Sequence, residues 1–213
     1  GYAVIENFYS KDKCEQIKEY AFKKFAIPPD FSVALNVHRE SEFFFKIISD
    51  KEIVNLVNDI QDSDFDAVND QYLFKKANST YGKQSWTFHQ DNSYPRAPKG
   101  SYIIVHLAID DSHQENGGLI FLPGSHKEEI LEFKPNKSWR EEKHVDGITR
   151  PGQTITSEDI LNKYPKVDLN LKKGSLVLMH GNLIHGSHPN LSKDQDRNQY
   201  SMAYMNKNVD FFE

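Results

Sequence analysis

A histidine and a carboxylate two residues apart are the feature of this sequence with the clearest chemical meaning. They lie in Trp86-Thr87-Phe88-His89-Gln90-Asp91, a run of strand-forming residues. Strand side chains alternate faces, so positions i and i+2 project to one side and His89 and Asp91 present an imidazole and a carboxylate together. That is two-thirds of the two-histidine, one-carboxylate facial triad, which holds Fe(II) and leaves coordination positions open. The third ligand must come from elsewhere, and His180, His185 and His188 all follow downstream. His188 precedes Pro189 in a turn and is expected to face solvent. His180 closes an apolar strand, where a histidine is more often a hydrogen-bonded structural group. His185 is followed by Gly186, which permits close backbone approach, and by Ser187, which places a hydroxyl on the same face. His185 is the favoured ligand, with His180 second.

These residues need a scaffold. Tyr2 to Ile5 reads as a short strand, and Ser10 as the N-cap of a helix carrying Cys14, Ile17, Ala21 and Phe25 at helical spacing. Ile27-Pro28-Pro29 ends that helix, because proline cannot continue it. Residues 31–49 are ambiguous, and Asp50 caps a second helix bearing Ile53, Val54, Leu56, Val57 and Ile60. From about residue 67 the pattern turns to β, with strands expected over 67–77, 85–91, 101–109, 118–122, 174–180 and 199–206, separated by turn residues. Two helices followed by many short strands predict a mainly β jelly roll or cupin-like barrel with flanking α-helices outside. A single domain over 1–213 is expected, with a helical part to about 66, a β core over about 67–206 and a polar insertion over about 127–166. The insertion carries Trp139, Arg140, Lys143, His144 and Arg150, and long excursions of this kind often contact substrate. A plain surface insertion is the competing reading.

Composition removes several classes of function. The 213 residues carry a net charge of -5 with both signs mixed, so no basic footprint points to nucleic acid. Apolar runs such as 103–107 and 176–179 are far too short to span a bilayer. The single cysteine, Cys14, excludes an intramolecular disulfide and fits a reducing compartment. The start, Gly1-Tyr2-Ala3-Val4-Ile5, lacks the pattern of a secretory signal. A soluble, cytoplasmic protein is expected.

Read together, His89-Gln90-Asp91, Glu115-Asn116-Gly117-Gly118-Leu119 running into Pro123-Gly124-Ser125-His126, and His185-Gly186-Ser187 with Asn190 and Arg197 resemble the phytanoyl-CoA dioxygenase (PhyH) family. The resemblance runs from about Tyr2 to Asn206. It implies a double-stranded β-helix and an Fe(II)- and 2-oxoglutarate-dependent dioxygenase that uses O2. It further implies that His89, Asp91 and His185 bind iron, that Arg197 clamps the distal carboxylate of 2-oxoglutarate, and that Ser187 adds a hydrogen bond. A guanidinium fork suits a carboxylate bidentately and keeps its proton. Without the resemblance, Arg197 would be read as a surface ion pair beside Asp194 and Asp196. Members commonly place this arginine eleven residues after the distal histidine; here the interval is twelve, and the extra residue is expected in the 191–196 turn, since a slip inside a strand would reverse its face.

Two looser matches bear on the co-substrate. Tyr72, with Phe74 and Lys76 on one expected strand face, lies near a family contact to 2-oxoglutarate. His106 stands where many members carry a pocket-lining tryptophan. Asp91 favours hydroxylation, since related halogenases replace this carboxylate with a small residue; desaturation, epimerisation and ring formation remain open. Trp86, Phe88, Tyr94 and Arg96 flank the iron motif and, with the basic residues of the insertion, suit a small anionic or zwitterionic substrate. The alternatives are a cupin-like protein that binds a metal or ligand without turnover, and a zinc hydrolase on the same triad, which lacks an evident general base.

Overall fold

The computed structural model describes residues 1–25, 33–136 and 152–209. β1 (Tyr2–Ile5) leads into α1 (Lys11–Phe25), then β2 (Val33–Leu35), α2 (Val37–Glu40), α3 (Glu42–Ile48) and α4 (Lys51–Gln61). The remainder is mostly strand: β3 (Phe65–Lys75), β4 (Trp86–His89), β5 (Tyr102–Ala108), β6 (Leu119–Phe121), β7 (Phe133–Asn136) and β8 (Gly152–Ile155). After the short helix α5 (Glu158–Lys163) come β9 (Val167–Asp168), β10 (Leu176–His180), β11 (His185–Ser187) and β12 (Arg197–Asn206).

Local chemistry sets the helix starts. The Ser10 hydroxyl accepts from the Lys13 N–H at 3.1 Å, and the Asp50 carboxylate accepts from the Glu52 N–H at 2.9 Å. The ambiguous stretch resolves into β2, α2 and α3, with Ser41 as the N-cap of α3. Of its three consecutive phenylalanines, Phe44 is buried and Phe45 is 54% exposed, as helical periodicity requires of adjacent positions. Ile27-Pro28-Pro29 lies outside the described residues.

Two antiparallel sheets face each other. The larger has the strand order β1-β10-β5-β12-β3-β2 and the smaller β4-β11-β6-β9, with β7 and β8 forming a separate ribbon. Each large-sheet strand has two unlike faces. Val105, Leu107, Tyr72, Phe74, Tyr200 and Tyr204 point outward, where Ile17 and Ala21 of α1, Phe44 and Ile48 of α3, and Ile53 and Val57 of α4 cover them. Ile104, Ala108, Val177, Met179 and Ala203 point inward against Leu119 and Phe121 of the smaller sheet. This is a double-stranded β-helix with helices on one side. Burial of that outer layer, at roughly 25 cal/mol per Å² of apolar surface, is the main force holding the helices to the sheet.

The expected strands are present with limits that differ by a residue or two, β12 starting earlier than expected at Arg197, and β2, β7, β8, β9 and β11 are additional. In the described part of the insertion, Gln153 and Thr154 of β8 hydrogen-bond to Thr87 of β4 and to Ser93 in the turn that follows it. Ile160 and Leu161 of α5, with Tyr164, Leu131 and Ile155, pack over Leu122, Ile184 and Phe88 on the outer side of the smaller sheet. Trp139, Arg140, Lys143, His144 and Arg150 lie outside the described residues. No described helix is long and apolar enough to cross a membrane.

Candidate active site

The smaller sheet brings two histidines together. β4 and β11 are antiparallel neighbours with His89 opposite His185, and their ring centroids are 4.3 Å apart. The register shifts between His185 and Ser187, so that Ser187 faces Trp86. Trp86 and His89, three residues apart, therefore share the inner face, which is how a bulge re-aims side chains beside a site. Gly186 is required here: a Cβ on it would lie 2.6 Å from the Trp86 carbonyl oxygen.

Asp91 corrects the expected geometry in one respect. The strand stops at His89, and Asp91 opens a 3-10 turn, Asp91–Ser93. The intervening Gln90 keeps an extended backbone (φ -117°, ψ 127°), so the alternation of faces survives and Asp91 still emerges beside His89. Asp91 Oδ1 lies 3.3 Å from His89 Nε2, and Oδ2 lies 3.6 Å from His185 Nε2. One ligand atom from each of the three residues lies within 4.8 Å of the others. Both imidazoles are oriented from behind. His89 Nδ1 is 2.7 Å from the Thr87 carbonyl, and His185 Nδ1 is 3.0 Å from the Leu183 carbonyl. A carbonyl can only accept, so each Nδ1 carries the proton and each Nε2 turns a lone pair to the centre. Burial lowers the His185 pKa to about 4, which keeps it neutral at pH 7. Burial alone would raise the Asp91 pKa, but His185 and His89 beside it hold the carboxyl well below the usual range. Two neutral imidazole lone pairs and one anionic carboxylate form a donor set that fits Fe(II).

A second, cationic half lies on the larger sheet. Arg197 is 3% exposed; its Nε and Nη2 donate to the Gly117 carbonyl at 3.0 and 2.5 Å, and Nη1 donates to Gln199 Oε1 at 3.0 Å. Gly117 has φ +93°, and a Cβ on it would meet the Lys75 side chain at 2.5 Å, so glycine is needed on both counts. Lys75, opposite Arg197 in the β3–β12 ladder and 6% exposed, donates from Nζ to Ser187 Oγ at 2.8 Å and to the His188 carbonyl. No acidic side chain within hydrogen-bonding distance neutralises either cation among the described residues. Burial and the neighbouring Arg197 push the Lys75 pKa well below its ordinary value, and burial lowers Arg197 to about 10. The 191–196 turn that precedes Arg197 is braced by hydrogen bonds of Ser192 and Asn190.

The remaining candidates separate. His106 lies on the inner face of β5, 6.5 Å from His185 between ring centroids, and burial lowers its pKa to about 3. Tyr72 is not brought to the triad: it faces the helices, 5.9 Å from Phe44 and 4.4 Å from Phe74 between ring centroids. The inner face of β3 carries Leu73, packed near Trp86, and Lys75. Phe88 also turns away from the metal-facing side, into the layer under the insertion. His180 Nδ1 accepts from the Asn182 N–H at 2.9 Å, a structural role outside the triad, and His188 Nε2 pairs with Asp168 at 2.7 Å near the surface. Lys75 and Gln199 were not anticipated. The signal for Lys75 was its parity: on β3 the apolar residues 72 and 74 mark one face as core, which leaves 73 and 75 for the other.

A double-stranded β-helix holding two histidines and one aspartate on its inner face defines the fold and metal-site type of the non-haem iron oxygenases. The phytanoyl-CoA dioxygenase (PhyH) family model matches residues 1–198, and the chain belongs to that family. Phytanoyl-CoA dioxygenase of Arabidopsis thaliana is 34% identical over 116 residues, 54% of this chain and 36% of that protein. Phytanoyl-CoA dioxygenase domain-containing protein 1 of Danio rerio is 27% identical over 197 residues, 85% of this chain and 60% of the relative. The chain thus spans less than two-thirds of these relatives. Among solved structures, the epimerase SnoN in complex with Fe3+, alpha ketoglutarate and nogalamycin RO superposes with a TM-score of 0.79 at 17% identity, covering 100% of this chain and 82% of SnoN. EctD from S. alaskensis with 2-oxoglutarate and 5-hydroxyectoine gives 0.73 at 16% identity, covering 97% and 72%. These two likenesses establish the shared fold.

Proposed function

We propose that the chain is an Fe(II)- and 2-oxoglutarate-dependent dioxygenase that hydroxylates a C–H bond of a small metabolite. One observation carries this reading: three converging metal donors face a site whose other half holds two buried basic side chains, Arg197 and Lys75, with no acidic side chain within hydrogen-bonding distance among the described residues. A neutral-ligand hydrolase has no use for that second half. An anion with one end at a metal and a carboxylate at the other satisfies both.

His89, Asp91 and His185 would hold Fe(II), which with 2-oxoglutarate and O2 supplies the oxidising chemistry that releases succinate and CO2. The protein's contribution is placement. The Thr87 and Leu183 carbonyls lock the two imidazoles. Gly117 pins the guanidinium of Arg197 so that its remaining N–H groups receive the distal carboxylate. Lys75, tethered by Ser187, adds a second positive charge. The large sheet and the packed inner layer exclude water from the anion. Trp86, whose ring centroid is 6.0 Å from that of His89, and Tyr94, 40% exposed at the turn that follows Asp91, offer aromatic surface beside the triad. Together with Arg96, they suit a small anionic or zwitterionic substrate. Asp91 occupies the carboxylate position, which supports hydroxylation over halogenation.

The test is succinate formation from 2-oxoglutarate by the Fe(II)-loaded protein, alone and with small phosphonates, amino acids and carboxylates. Substrate-stimulated succinate release is expected. Iron and 2-oxoglutarate binding with no turnover under any of these conditions would instead favour a cupin-like binding protein. Full activity with zinc would favour hydrolysis.

A further inference from the structure

Gln199 joins the cationic half of the site to His106. Its Oε1 accepts from Arg197 Nη1 at 3.0 Å, and its Nε2 lies 2.8 Å from His106 Nδ1. A guanidinium has only donors, so the amide oxygen must face Arg197 and the amide NH2 must face the imidazole. The NH2 group has no lone pair to offer, so His106 Nδ1 accepts and carries no proton. The one proton of a neutral imidazole is then on Nε2. Two hydrogen bonds, both dictated by the fixed chemistry of arginine, decide the tautomer.

That Nε2–H is buried and has no hydrogen-bond partner among the described residues, on a residue only 4% exposed. Buried donors are almost always paired, so one left open beside a site points to a ligand atom as its partner. Nδ1 is turned to Gln199 on β12, which leaves Nε2 on the far side of the ring. The His106 ring lies 6.5 Å from that of the metal donor His185 between centroids, and through Gln199 it is linked to Arg197, so it stands between the metal donors and the anion clamp. A molecule spanning those two points passes the ring.

We propose that Gln199 is a positioning residue that fixes His106 as an Nε2–H donor, and that this donor binds a carboxylate oxygen of the 2-oxo acid co-substrate. The inference rests on the co-substrate reading above. It gives His106 a donor role that a phenylalanine in its place could not fill.

Side-chain 15N NMR of the protein reads the tautomer directly: His106 Nε2 protonated and Nδ1 bare is expected, and the opposite assignment overturns the proposal. The affinity for 2-oxoglutarate is then measured by calorimetry on protein loaded with Zn(II), which keeps turnover silent. His106→Phe should weaken binding about tenfold or more, the range of a lost hydrogen bond to a charged group. His106→Gln, which keeps an N–H donor, should recover most of that loss. Gln199→Leu should give a smaller loss and a mixed tautomer, with Zn(II) affinity unchanged in all three. Wild-type affinity in His106→Phe, or an unchanged tautomer in Gln199→Leu, overturns the inference while leaving the co-substrate reading intact. Absence of 2-oxoglutarate binding by the wild-type protein would remove both.

Discussion

The two faces of β12 are buried to the same extent and yet differ in what they need. Outward, Tyr200, Met202 and Tyr204 are wholly buried among the helices. Their polar atoms are satisfied from within: the Tyr204 hydroxyl donates to the Ile48 carbonyl at 2.8 Å, and the Tyr200 hydroxyl donates to Asp70, which also accepts from His38. Inward, Arg197, Gln199 and Ser201 are 3 to 4% exposed, and Arg197 sits beside another buried cation. The outer face is complete as folded. The inner face holds basic groups that no acidic side chain among the described residues reaches at hydrogen-bonding distance, and a buried charge without such a partner is costly by several kcal/mol per ion in a dry interior. Burial alone therefore does not separate core from site; buried charge does.

The widest separation of the two faces comes from deleting one group on each. Asp91→Ala should remove Fe(II) binding and reduce 2-oxoglutarate turnover to background, and retained turnover would reject the triad. Met202→Ala should cost about 2–5 kcal/mol in stability, the usual range for a buried Met→Ala change, and leave the iron stoichiometry as it was. Denaturant titration and metal analysis of both variants check the pair.

Next come the two cations, where binding and stability should move in opposite directions. Arg197→Met removes a charged, two-pronged contact and should raise the 2-oxoglutarate requirement by roughly 100-fold, with little change in iron affinity. Lys75→Met should weaken 2-oxoglutarate by about tenfold. The same change relieves a buried charge and should stabilise the ligand-free protein by about 1 kcal/mol or more. Thermal melting with and without 2-oxoglutarate distinguishes these effects. A less stable ligand-free Lys75→Met protein would show that Lys75 is a structural tether and no part of an anion site.

Acidity sharpens the contrast further. His106 and His185 have pKa values lowered to about 3 and about 4 in the folded protein, against about 6.5 in the unfolded chain. Between those values the unfolded chain takes up protons that the folded one refuses. The metal-free protein should therefore be at full stability above about pH 6.5 and lose it progressively as the pH falls toward about 4. The outer face responds at the other end of the scale. Burial raises the pKa of Tyr200 and Tyr204, so their contribution is present below about pH 10, where tyrosine ionises in the unfolded chain, and is lost above it. Melting curves of the metal-free protein across pH check both limbs, and His106→Phe should flatten only the acidic one.

The parts of this design that could be read from the sequence are those carried by local periodicity. His89-x-Asp91 was legible because one extended residue, Gln90, preserves the alternation even though the strand ends a residue early. His185 and Ser187 were legible through the intervening Gly186, although β11 itself, at three residues, is too short and polar to be seen as a strand. The helix starts at Ser10 and Asp50 could be read from their capping side chains. Less visible were relations between strands. Which face of β3 meets the site depends on which face the helices cover, and nothing local to 65–75 states that. Hence the sequence points to Tyr72 and leaves Lys75 unmarked. Gln199 reads as an ordinary strand residue until β5 lies beside β12 and His106 comes within reach.

Tyr72 supplies the finest test of the two-face picture. Its ring is fully buried among Phe44, Phe74 and Tyr200, but its hydroxyl has no hydrogen-bond partner among the described residues. A buried hydroxyl left unpaired costs about 1–3 kcal/mol, and phenylalanine keeps the ring without it. Tyr72→Phe should therefore leave the protein as stable as before or somewhat more so, while 2-oxoglutarate affinity stays within error of wild type. If the affinity fell as it should in Lys75→Met, the hydroxyl would be serving the inner face across the sheet, and the division of β3 into a packing side and a binding side would have to be redrawn.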